Sequence, residues 1–189
     1  MIRLFLAFPL AVEVTDYLGT VIADLKPHTD SIKWVAPKNI HLTARFLGDT
    51  KEDAVPRLKE LVDSVALAHT PVSSSLMQLG AFPNLSRPKV IWVGISEGAD
   101  RLGDIACDIE QRVRRLKFEP DSKPFKSHLT LGRVREGARL DRFVDHLKSC
   151  SIKSIPVTFE SIVLFKSTLT SQGPIYERLH EVRLSGPCD

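Results

Sequence analysis

Two copies of one tripeptide are the residues best suited to chemistry. His41-Leu42-Thr43 recurs as His128-Leu129-Thr130, 87 residues later. In a β-strand, residues i and i+2 point to the same face, about 6.6 Å apart along the chain. Each histidine therefore shares a face with its threonine, while Leu42 and Leu129 turn toward a core. An imidazole beside a hydroxyl suits phosphoryl chemistry: the ring moves a proton and the hydroxyl holds a non-bridging oxygen. Two such pairs supply a base for an attacking water and an acid for a leaving oxygen. Histidine fits both roles because its ordinary pKa, about 6.5, lies near neutrality.

Neighbouring residues are weaker candidates. Strict alternation puts Arg45 on the face of His41 and Thr43, within reach of a phosphate backbone. It turns Phe46 away, toward core packing. Arg133 falls on the face opposite His128, where a structural ion pair is its simpler role, though it stays a substrate-binding candidate. Tyr176 follows a Gly-Pro turn and is a third candidate for the groove wall. Arg87 and Lys89 lie in or beside a loop over 82–88, as surface charge or as RNA contacts. His28, His69, His146 and His180 lack metal-ligand spacing with Cys or carboxylates, and there is no Gly-rich phosphate loop. The expected cofactor and metal requirement is therefore none.

The elements that must position these residues follow from periodicity. Continuous apolar runs or alternation predict strands near 2–8, 32–35, 39–48, 72–80, 89–95, 127–134, 155–167 and 175–184. Apolar residues at helical spacing predict helices over 11–25, 51–68, 100–118 and 140–147. A turn, TSQGP (170–174), joins the last two strands. Hairpin-like strand pairs mixed with helices predict an α+β fold with mostly antiparallel sheets. The repeated motif predicts a duplicated, two-lobed architecture across a groove, one motif per lobe (41–43 and 128–130). Without a Gly-, Ser- or Pro-rich linker, 1–189 reads as a single domain.

Composition narrows the class. Hydrophobic residues make up 43% and charged residues 26% of the chain, a globular balance. The net charge of +3 is far below that of a protein that coats nucleic acid, so phosphate recognition must be local. Three distant cysteines (Cys107, Cys150, Cys188) make a disulfide framework a poor reading and predict a cytoplasmic chain. No apolar run reaches the roughly 18 residues of a membrane span, so no membrane partner is expected.

The chain resembles the two-histidine phosphoesterases, and among them the RNA 2′,3′-cyclic phosphodiesterase (2′-5′ RNA ligase) family. The resemblance runs through RLFLAFPL, WVAPKNIHLTARFLGD (34–49), LGAFPNLSRPKVIWVG (79–94), FKSHLTLGRV (125–134) and LFKSTLTSQGPIYERL (164–179). Ser127 stands where proline often precedes the second histidine, and Gly132 is a small residue within its strand. The resemblance implies two antiparallel sheets facing a central groove, with helices outside. It implies metal-independent hydrolysis of RNA 2′,3′-cyclic phosphate ends to 2′-phosphates, and in some members reversible 2′-5′ joining of tRNA fragments. His41 would then give a proton to O3′ and His128 would accept one from water, an assignment that the near-symmetric repeat does not make by itself. The implied partner is an RNA or oligonucleotide with a cyclic-phosphate end, met by a monomer. Two other readings stay open: an RNA-binding module that does little chemistry, and the same chemistry on ADP-ribose 1″,2″-cyclic phosphate or a 2′-5′ oligoadenylate.

Overall fold

The computed structural model describes residues 1–171 and 173–187. Its strands are β1 (Ile2–Phe8), β2 (Ile32–Trp34), β3 (Leu42–Thr50), β4 (Val72–Phe82), β5 (Val90–Ile95), β6 (His128–Val134), β7 (Pro156–Phe159), β8 (Ser161–Thr170) and β9 (Gly173–Arg183). Its α-helices are α1 (Val12–Leu25), α2 (Val55–Ala66), α3 (Ala99–Arg115) and α4 (Asp141–Ser149). Gln172 of the predicted turn, and Cys188, lie outside the described residues.

The helices form where apolar periodicity demands. Val14, Leu18, Val21, Ile22 and Leu25 are the buried stripe of α1, and Leu102, Ile105, Ala106, Ile109 and Val113 that of α3. Such stripes need a sheet to cover, and most of the core is a single cluster that draws on helices and strands alike. No helix among the described residues is long and apolar enough to cross a membrane.

All strand pairings are antiparallel, in the order β7-β4-β5-β6-β3-β1-β8-β9, with β2 added to β6. The order reads as a palindrome about its centre: β6 answers β3, β5 answers β1, β4 answers β8 and β7 answers β9. The two expected sheets are thus two halves of one nine-stranded sheet, four strands on the β3 side and five, counting β2, on the β6 side. Between β3 and β6 the register records one pair, Leu42 with Leu129, and both leucines are fully buried. The repeated tripeptides form the seam itself.

Several boundaries differ from the expectation. The strand predicted over 39–48 starts at Leu42, because Pro37–Asn39 form a 3-10 turn in front of it. The strand predicted over 155–167 is two strands broken at Glu160: β7 pairs with β4 in one half, and β8 pairs with β1 in the other.

Candidate active site

Both histidines are anchored the same way. His41 Nδ1–H donates to the Asn39 carbonyl at 2.8 Å, and His128 Nδ1–H donates to the Lys126 carbonyl at 2.6 Å. Each bond reaches back two residues and fixes the tautomer, leaving Nε2 as the titrating nitrogen. Asn39 is itself tied down: its Nδ2 donates to the Pro174 carbonyl at 3.0 Å. Stepping one residue either way from the Leu42–Leu129 pair sets His41 opposite Thr130 and Thr43 opposite His128. The two His/Thr pairs are thus interleaved across the seam, and all four side chains are partly exposed or at the surface.

Each motif is followed by a β-bulge in the same place. In β3, Leu6 faces Arg45 but Ala7 faces Thr43, so Ala44 is an extra residue. In β6, Ile91 faces Gly132 but Trp92 faces Thr130, so Leu131 is extra. A bulged strand exchanges its faces from that point on. Strict alternation therefore fails at three positions. Arg45 does not face the groove. It is only 7% exposed, and its Nε donates to Glu110 Oε2 at 2.5 Å, with Asp121 at 3.5 Å. Phe46 does not pack in the core: it is 53% exposed and its ring lies 5.9 Å from that of Phe5. Arg133 is not held in an ion pair among the described residues, and its charge acts on His41, His128 and Tyr176 together.

Gly132 occupies the position of Arg45 in the second copy. A Cβ there would lie 2.6 Å from Ile32 Cγ2 and 2.9 Å from Trp34 Cε3. The small residue lets β2 pack against the bulge.

Aromatic rings wall the groove. Phe5 stacks on His41 with ring centres 4.9 Å apart, and the Tyr176 ring meets His41 edge-on at 5.4 Å. Phe165 stacks on Phe5 at 5.0 Å, and Phe5, Ala7, Val163 and Phe165 form a small apolar cluster of their own. On the other side Phe82 meets His128 edge-on at 4.9 Å, and Lys126 Nζ sits 5.3 Å above the Phe82 ring. Trp92 lies across Gly80, where a Cβ would come within 2.3 Å of the indole. Among the predicted groove residues, Tyr176 is where the sequence placed it. Phe5, Phe82, Trp92 and Phe165 were missed; for Phe5 the reason is that β1 reads as a uniformly apolar run. The overlooked signal is that Leu4, Leu6 and Phe8 alternate with Phe5 and Ala7, giving β1 two different apolar faces.

This environment depresses both imidazoles. Burial is the largest cause for each ring, and the Arg133 charge adds to it; His128 lowers His41 further. His41 falls to about 4, while His128 lies below its ordinary value. Burial also raises the Tyr176 phenol, keeping it a protonated donor at neutral pH. Among the described residues no group of three or more His, Cys, Asp or Glu side chains is placed to hold a metal ion.

The model of the LigT-like phosphoesterases matches the chain twice, over residues 8–92 and 93–176, one match per motif. The chain belongs to the LigT-like phosphoesterase family. Two proteins named RNA 2′,3′-cyclic phosphodiesterase are similar to it. That of Aeropyrum pernix is 35% identical over 80% of this chain and 86% of the relative. That of Archaeoglobus fulgidus is 33% identical over 94% of this chain and 97% of the relative. Among solved structures, TT0787 of Thermus thermophilus superposes with a TM-score of 0.78 at 28% identity, covering 97% of this chain and 98% of that one. E. coli LigT in complex with 3′-AMP superposes with a TM-score of 0.76 at 21% identity, with the same coverage, and shares the fold. For a LigT-like phosphoesterase, the double match also accounts for the palindromic strand order.

Proposed function

We propose that the chain hydrolyses RNA 2′,3′-cyclic phosphate ends to 2′-phosphates, as one two-lobed domain spanning 1–189. The carrying observation is the pair of matched imidazoles, each with Nδ1 tied to a backbone carbonyl and Nε2 left free. Membership of the family and the names of the relatives support the substrate class.

In this reading His128 Nε2 takes a proton from water as its oxygen attacks phosphorus. His41 Nε2–H gives a proton to O3′ as the P–O3′ bond breaks, and the phosphate stays on O2′. Thr43, Thr130 and Arg133 hold the non-bridging oxygens, where a hydrogen bond to a charged oxygen is strongest. Tyr176 and the Phe5, Phe46 and Phe165 rings offer faces on which a base can stack. Replacing water by a 5′-hydroxyl turns the same step into 2′-5′ joining. The free thiols of Cys107 and Cys150 suit a reducing cytoplasm, and the enzyme acts as a monomer.

The test is incubation with an RNA ending in a 2′,3′-cyclic phosphate, with chelator present, followed by identification of the terminal phosphate. The expected product carries a 2′-phosphate. A 3′-phosphate would reverse the leaving group, and loss of turnover restored by Zn²⁺ or Mg²⁺ would overturn the metal-free mechanism.

A further inference from the structure

Beyond the histidines, β6 leads to a depression of about 530 Å³ lined by Arg87, Lys89, Arg135 and Arg139, with Val134 and Leu140 among its apolar lining. The four cations are exposed, and none forms an ion pair among the described residues. Among the described residues, Glu136 is the one carboxylate lining the depression, against four cations.

Backbone bonds hold the segments that carry three of these cations. Val134 N–H donates to the Lys89 carbonyl at 2.9 Å, Arg135 N–H to the Ser31 carbonyl at 2.8 Å, and Arg87 N–H to Asn84 Oδ1 at 3.0 Å. The depression also connects to the histidines. Arg133 is two residues from Arg135, and the register pairs Lys33 of β2 with Arg133. Thr130 and Arg135 are five residues apart, about 16 Å of strand. Arg133, Lys33 and Arg135 thus lie along β2 and β6 between the His/Thr pairs and the depression, a span long enough for a few nucleotides.

We propose that this depression binds the phosphate backbone of single-stranded RNA upstream of the reacting end. The inference rests on the phosphodiesterase reading above. A cyclic phosphate terminates the 3′ end, so only one arm of the RNA leaves the site, toward the 5′ side. One basic row leading out of the groove matches one departing arm. Contacts of this kind go to phosphates and carry no sequence preference.

The test compares wild type with the triple variant Arg87→Ala/Arg135→Ala/Arg139→Ala on two substrates. One is a dinucleotide ending in a 2′,3′-cyclic phosphate. The other is a single-stranded RNA of roughly twelve nucleotides with the same end, within the length range of single-strand sites. The variant should keep the dinucleotide kinetics, which also shows that it folds. Its KM for the longer RNA should rise about tenfold or more, and the salt dependence of binding should flatten by up to about two in log–log slope. Unchanged KM for the longer RNA would overturn the proposal. Equal losses on both substrates would overturn it as well, by placing these cations in the reaction itself. Wild type that binds the long RNA in the same salt-dependent way but cleaves neither substrate would sink the phosphodiesterase reading alone.

Discussion

At the scale of residues, the anchored imidazoles set the pH behaviour. The proposed mechanism needs one ring charged and the other neutral. Burial lowers both rings, His41 to about 4. The singly protonated pair therefore populates below pH 6.5, and kcat/KM should trace a bell on the acid side of that value. The two apparent constants belong to the pair and do not divide between the rings. A bound phosphodiester is anionic and favours imidazolium, so the kcat profile should lie at higher pH than that of kcat/KM. Profiles of both quantities on a cyclic-phosphate dinucleotide check this, and a kcat/KM bell centred above pH 7 would contradict it. Replacing either histidine by alanine should cost about 10² to 10⁴ in rate. Because both act in one step, the double variant should be little worse than the worse single. Thr43→Ala and Thr130→Ala should each cost less, about one to two powers of ten, from a lost bond of about 1.5–3 kcal/mol. Single-turnover rates with folded variants would rank the four.

At the scale of elements, the two bulges decide what the motif presents. Their effect separates two side chains adjacent in sequence. Arg45 binds β3 to α3 through Glu110, away from the groove, whereas Phe46 faces the groove. Arg45→Met should lower stability by about 1–3 kcal/mol with kcat nearly intact. That is less than breaking a wholly buried pair costs, since Glu110 and Asp121 remain in contact with water. Phe46→Ala should leave stability nearly unchanged and raise KM, because a half-exposed ring holds little of the core. Denaturant midpoints beside steady-state kinetics distinguish the two, and a swap of the two phenotypes would mean that strict alternation holds after all. The same bulges mark the limit of the sequence reading. His41, Thr43, His128 and Thr130 were legible because they precede the extra residue, where a period of two still holds. Ala44 and Leu131 look like ordinary strand residues, so nothing in the hydropathy pattern announces the change of face. Gly132 was the available clue: a glycine inside a strand often marks a bulge or a close approach. The helices were legible to within a few residues because a buried stripe repeats over several turns. Register between distant strands is set by tertiary packing and left no comparable trace.

At the scale of the whole molecule, the halves of the sheet are not the halves of the chain. The half that carries His41 is built from β1, β3, β8 and β9, the earliest and latest strands. β4 through β7 lie between them in sequence and, with β2 added to β6, form the other half. Phe165 and Tyr176, which wall the first histidine, come from the closing hairpin. A chain ended before Ser161 should therefore keep both histidines yet lose turnover, with the β8 edge of β1 left open. Activity and fluorescent-dye binding of such a truncation would test this, and full activity would show the hairpin to be dispensable. The arrangement also dictates a timetable during synthesis. Ribosomes add about 5–20 residues per second, and the first sections of a chain generally fold first. Here the first motif must wait for roughly 120 more residues, on the order of ten seconds, before its wall can arrive. Until then Phe5 and Ala7 lie open to solvent and chaperones. A half-made copy is thus a client for folding helpers before its groove is complete enough to hold a substrate.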